Sequence, residues 1–181
     1  MIITLKVALR MVGLVLLIVV LQSTFFSMVE FLGASIWILP AAVAVFGLLG
    51  GSMVGTTVGF ALGLLSDGLA DGPLGTSCLV FMGVGYVAGV YRERGDVPGV
   101  ATAAAIAGLA TLAANLALGL LTVLLGFDGY YSAAAIPDLI LQGAYALLLA
   151  FPMFILVRRV LRPALVEERT APGRDFAASG S

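Results

Sequence analysis

Histidine is absent from the 181 residues, cysteine and tryptophan occur once each, and only nine residues are basic and ten acidic. Each scarcity removes a class of function. Without imidazole, no side chain of ordinary pKa near neutrality is available as general base, proton shuttle or pH sensor. The single cysteine, Cys78, excludes an internal disulfide and a cysteine-based zinc site, and reads as a small packing residue. A formal net charge of −1 supplies no basic field for nucleic acid. Charged residues are 10% of the chain, against ~25% in soluble domains, too few to cover a surface in water.

Hydrocarbon takes their place. Hydrophobic residues are 61% of the chain and the mean hydropathy is +1.16. A bilayer core of ~30 Å takes ~20 apolar residues per helical span, which leaves room for five or six spans and no extramembrane domain of useful size. The apolar stretches run 7–27, 36–49, 53–65, 76–91, 99–125 and 136–157. The first follows Lys6 and Arg10, as a signal peptide would. It exceeds the ~7–15 residues of such a segment, however, and runs into Gln22-Ser23-Thr24-Phe25-Phe26 without a small-x-small cleavage site. It reads as an uncleaved first span.

Residues 36–65 are either one over-long helix or two short ones joined at Gly50-Gly51-Ser52, and charge decides between them. With six crossings and a cytoplasmic N-terminus, Lys6, Arg10, Arg92, Arg94, Arg158, Arg159, Arg162, Arg169 and Arg174 all gather on the inner side. Glu30, Asp67, Asp71, Asp128 and Asp138 gather on the outer side, as the positive-inside rule describes. Merging the two stretches would set Arg92 and Arg94 opposite Lys6 and Arg10. The reading is therefore an all-α integral membrane protein: a six-span domain over residues 1–162 with both termini cytoplasmic, and a disordered tail over 163–181, which is polar and rich in small residues.

The short second and third spans must be extended at their ends, bounded by thinned bilayer, or shielded by neighbours. Pro40 falls in the first turn of a helix that Ser35 would cap. Pro152 deprives the Leu148 carbonyl of its donor and predicts a kink.

Gly47, Gly50, Gly51, Gly55, Gly59 and Gly63 recur largely at three- and four-residue steps, and Ala101, Ala104, Ala105, Gly108 and Ala113 form a second run of small residues. Each run serves either internal packing or a partner helix, with Gly51, Gly55, Gly59, Ala104 and Gly108 as the candidate groove positions. In Asp67-Gly-Leu-Ala-Asp71-Gly-Pro73-Leu-Gly75 the bland reading is a chain reversal at a solvated outer loop. As chemistry, Asp67 and Asp71 would present two carboxylates to a metal. A CDP-alcohol phosphatidyltransferase would also need further acids on the next helix and an arginine soon after the first Asp-Gly, and residues 76–91 offer neither. No catalytic, metal or cofactor residue is assigned.

Apart from Gln22, Asn115, Gln142 and the hydroxyls of Thr56, Thr57, Thr111 and Thr122, the spans carry little that could bind a polar solute. Asn115 and Gln142 are read as interhelical hydrogen-bonding groups, with ligand binding the alternative. Arg158, Arg159 and Arg162 form an inner-face basic cluster that either snorkels toward anionic lipid headgroups or receives a cytoplasmic partner.

The basic start, a first span ending Leu21-Gln22-Ser23-Thr24, the Trp37-Ile-Leu-Pro40 entry, and then Gly59-x-x-x-Gly63-x-x-x-Asp67 followed by Gly72-Pro73-Leu-Gly75 resemble the rod-shape-determining protein MreD family over residues 5 to 162. The third span is richer in glycine than the family pattern, and the tail after Arg162 is unmatched. The resemblance implies a non-enzymatic subunit of the bacterial elongation machinery in the cytoplasmic membrane. Its implied partners are the bitopic protein MreC, the MreB filament, the glycosyltransferase RodA and its class B penicillin-binding transpeptidase. It also implies a six-helix fold like the substrate-binding S-components of energy-coupling-factor vitamin transporters. A vitamin-binding subunit is therefore the alternative function, disfavoured by the few polar and aromatic groups and by the lone Trp37, which reads as interfacial.

Overall fold

The apolar stretches fold as helices because a backbone inside lipid must satisfy its own hydrogen bonds. A computed structural model describes residues 5–26, 30–31, 34–35, 37–69, 74–95, 98–126 and 136–170, with side chains for 9–24, 37–69, 74–95, 98–126 and 141–159. Among these residues the helices are α1 (Leu5–Leu21), α2 (Leu39–Gly50), α3 (Ser52–Leu69), α4 (Thr76–Arg94), α5 (Val100–Leu124) and α6 (Ile136–Thr170). A π-helical turn, Gln22–Phe26, follows α1, and the two-residue strands β1 (Glu30–Phe31) and β2 (Ala34–Ser35) pair antiparallel before α2.

The outer surface is hydrocarbon. Leu109, Leu116, Leu120 and Leu124 on α5 and Leu9, Val12 and Leu16 on α1 are exposed, an extent of apolar surface that soluble monomers avoid. Ser52–Leu69, Val100–Leu124 and the Leu141–Arg159 part of α6 are long and apolar enough to cross a membrane.

α2 is the centre of the bundle. Every residue from Leu39 to Leu49 is buried, and α3, α4, α5 and α6 all pack against it. At 12 residues it is about 18 Å long, short of a bilayer core, and its neighbours shield it on all sides. Pro40 does lie in its first turn, but Ser35 is not its cap. Ser35 belongs to β2, and because residues before Trp37 pair as a ribbon the helix begins later, with Ile38 at the N-cap position. The Ile38 N–H donates instead to Gln22 Oε1 at 2.9 Å.

Gly51 divides residues 36–65 into two helices: its φ of 86° is left-handed, a conformation that glycine adopts without penalty. At the other end of the chain, α6 continues through Pro152 and Pro163 to Thr170, so residues 163–170 are helical where the sequence was read as a disordered tail. One proline removes one helical hydrogen bond, and the good helix formers that follow, Ala164, Leu165, Glu167 and Glu168, carry the helix on. Residues 171–181 lie outside the described residues.

Candidate functional site

Gly55, Gly59, Gly63 and Asp67 follow one another at steps of four, which makes a single ridge along α3, and that ridge faces α4. A Cβ on Gly55 would collide with the Gly85 carbonyl oxygen, and one on Gly59 with that of Phe81. On Gly63 it would lie 2.6 Å from the Cys78 nitrogen, and on Gly47 of α2 it would lie 2.6 Å from the Gly85 oxygen. The glycine groove is thus filled by this chain's own α4. The inner small-residue run of α5 is filled as well: a Cβ on Gly108 would meet the Gly143 oxygen and Leu147 Cβ of α6 at 3.3 Å, and Ala104 is buried. Of the positions singled out on α5, Ala101, Ala105 and Ala113 remain exposed.

The ridge ends on a carboxylate for a physical reason. Asp67, 5% exposed, accepts the backbone N–H groups of Gly75 at 2.7 Å, Ser77 at 3.2 Å and Cys78 at 3.4 Å. These are orphan donors at the start of α4, where the helix dipole also favours negative charge. Gly75, at φ 98°, turns the chain so that they converge. The Asp67 carboxylate is therefore occupied as a cap. Asp71 and Pro73 lie outside the described residues, and among the described residues no group of three His, Cys, Asp or Glu comes together.

The opposite end mirrors this arrangement. Glu93, in the last turn of α4, accepts from the Ser52 N–H at 2.8 Å and the Ser52 hydroxyl at 2.7 Å, and so caps the start of α3. The hydroxyl and backbone hydrogen bonds from Ser52 lower the pKa of this exposed carboxyl, which lies beyond the apolar part of α4. Each helix of the α3–α4 pair is thereby capped by an acid near the far end of the other.

The remaining polar groups named from sequence are satisfied within the bundle. Thr56, Thr57, Thr111 and Thr122 donate to carbonyls one turn back on their own helices, at Ser52, Met53, Ala107 and Leu118. Asn115 Nδ2 donates to Gln142 Oε1 at 2.8 Å, the expected link between α5 and α6. Trp37 is partly buried, with its ring 5.7 Å from that of Phe81. Arg158 and Arg159 are exposed, and the side chain of Arg162 lies outside the described residues.

Sequence reasoning missed Gly85, Gly89 and Glu93. The first two had a signal, since Gly85-Tyr-Val-Ala-Gly89 is itself a small-xxx-small motif. Glu93 had none, because its partner is 41 positions away.

The α3–α4 pair and its glycine-to-aspartate ridge lie within residues 5–160, which match the family model described as rod shape-determining protein MreD. The chain belongs to the MreD family. Searches of curated proteins and of solved structures returned no match. MreD is a family of shape-determining membrane proteins, not a known enzyme family, that works with other shape proteins in a rod-shape complex. For this chain that places the helical bundle in the determination of rod shape.

Proposed function

We propose that this chain is a non-enzymatic scaffold subunit of the bacterial elongation complex that holds an MreC-like bitopic protein in place for lateral peptidoglycan synthesis. The family match over residues 5–160 carries the reading. It is supported by a bundle in which the side chains of Gln22, Asp67, Asn115 and Gln142 are committed to helix ends and helix pairs, as suits a rigid platform. In this proposal six helices cross the cytoplasmic membrane, both termini are cytoplasmic, and the architecture is akin to a vitamin-transporter S-component. RodA, its class B transpeptidase and the MreB filament are further partners, with Arg158, Arg159 and Arg162 facing the cytoplasm.

With the glycine ridge and the Gly108 run filled from within, the lateral contact for the partner's transmembrane helix is placed on the outer face of α5, where Ala101 and Ala105 allow close approach. Purification in mild detergent from the native membrane tests the reading. Recovery of a single-span coiled-coil protein is expected, and Ala105→Leu should lose it while leaving the yield of folded protein unchanged. A tightly bound vitamin in its place would overturn the scaffold in favour of the transporter subunit. Wild-type recovery and normal cell shape in Ala105→Leu would remove this face.

A further inference from the structure

We propose that the last two turns of α4 form a binding site for an anionic phospholipid. Tyr86, Val87, Val90, Tyr91, Arg94 and Gly95 line a groove of about 680 Å³, within the range that holds small ligands. Helical spacing sets 87, 90, 91 and 94 along one stripe, and polarity rises along it in a single direction, from valine through tyrosine to arginine. An acyl chain, a glycerol backbone and a phosphate succeed one another in the same order.

Arg94 is exposed and forms no ion pair among the described residues, and the neighbouring acid, Glu93, is held by Ser52. Within the same turn, Arg92 Nε is buried with no partner among the described residues. Arg94 is the charged group that lines the groove, at the end of the bundle that also carries Arg158 and Arg159. A free inorganic anion would use Arg94 alone and leave Val87, 68% exposed, uncovered. A zwitterionic lipid would cover the valines without neutralising Arg94. An anionic lipid does both, and interfacial tyrosines are the usual company of headgroups. The site depends only on the chain lying in a membrane, and it is independent of which protein the scaffold holds.

Native mass spectrometry of the full chain, released from nanodiscs of equal parts phosphatidylglycerol and phosphatidylethanolamine, tests the site. Wild-type protein should retain phosphatidylglycerol in preference. Arg94→Gln, which removes the charge, and Val87→Trp, which fills the groove without changing charge, should each lower that retention about fivefold or more, whereas Arg159→Gln should leave it nearly unchanged. Both groove positions are exposed, so elution as a single folded species is expected throughout. Equal loss from Arg159→Gln would reduce the effect to bulk charge and overturn the site. So would unchanged retention in both groove variants, or displacement of the lipid by millimolar inorganic phosphate. Cross-linking of a Val87→Cys variant to a second polypeptide in native membranes would assign the groove to a protein instead.

Discussion

Gly55 of α3 and Gly85 of α4 each occupy the space that a side chain on the other would need, so that a methyl group on either meets the carbonyl oxygen of its opposite. Lipid chains are as apolar as leucine and give helices little reason to associate. Close backbone approach, with its dispersion and Cα–H···O contacts, supplies the attraction in their place.

Gly55→Ala and Gly59→Leu should both lower the yield and melting temperature of the folded protein. Overpacking typically costs ~1–3 kcal/mol, and here the opposing atoms are backbone that cannot turn aside, which puts the cost at or above the top of that range. Gly83→Leu is the control, because that glycine lies on the outward face of α4 with open space around it. Size-exclusion profiles of the three variants in one detergent decide the matter. Equal yields would remove the glycine contact as a determinant of the fold.

Asp67→Ala should destabilise the protein by roughly 1–3 kcal/mol, because it leaves orphan N–H groups at the start of α4 in a buried setting. Asp67→Asn should be milder, since an amide oxygen still accepts. Gly75→Leu should cost about 1 kcal/mol or more from its left-handed backbone alone, as no atom stands within 4 Å of the added Cβ. Thermal melts rank the three. Loss of cell shape in Asp67→Asn at a normal protein level would instead give the carboxylate a chemical role.

The ridge itself was legible in the sequence, because i, i+4 glycines ending in an aspartate project onto one helical face whatever the tertiary context. The identity of its neighbour was not. Whether Gly55 meets a partner or α4 depends on chain paths that periodicity does not encode, and the Glu93–Ser52 and Gln22–Ile38 caps join positions with no local signature. Ser35 was named as a cap because serine before a Pro-led helix is locally sound, and the β ribbon that displaced it consists of only two residues per strand. Asn115 and Gln142 were legible because an amide in an apolar helix has few partners other than another amide.

Glu93→Gln should weaken the α3–α4 pair in a pH-dependent way. Because hydrogen bonding from Ser52 sets the folded-state pKa below the ordinary glutamate value, the cap contributes fully above that ordinary value and is lost as the pH falls through the folded one. Wild type should therefore melt higher than Glu93→Gln at neutral pH, and the gap should close on acidification through the carboxylate range. A gap independent of pH would show that charge plays no part in the cap.

A double-mutant cycle with Asn115→Leu and Gln142→Leu should return a coupling of about 0.6 kcal/mol and no more than ~1.7 kcal/mol, the range for hydrogen bonds between membrane helices. A coupling indistinguishable from zero would mean that the 2.8 Å contact contributes nothing to α5–α6 association.

In a Cys78→Ala background, Gly95→Cys should resist membrane-impermeant thiol reagents applied to intact cells and react in inside-out vesicles if the proposed six-crossing topology, with this turn in the cytoplasm, holds. Labelling from outside would sink the six-crossing arrangement.

The enclosure of α2 makes its cover a joint product of four helices. A helix of 12 residues, alone in lipid, leaves its ends short of the two water interfaces unless the bilayer thins around it. Its sides are covered jointly by α3, α4, α5 and α6, and no one neighbour encloses it. Chains that stop short of α5 leave α2 partly unsheathed, and membrane proteases that survey unfinished proteins are expected to remove them.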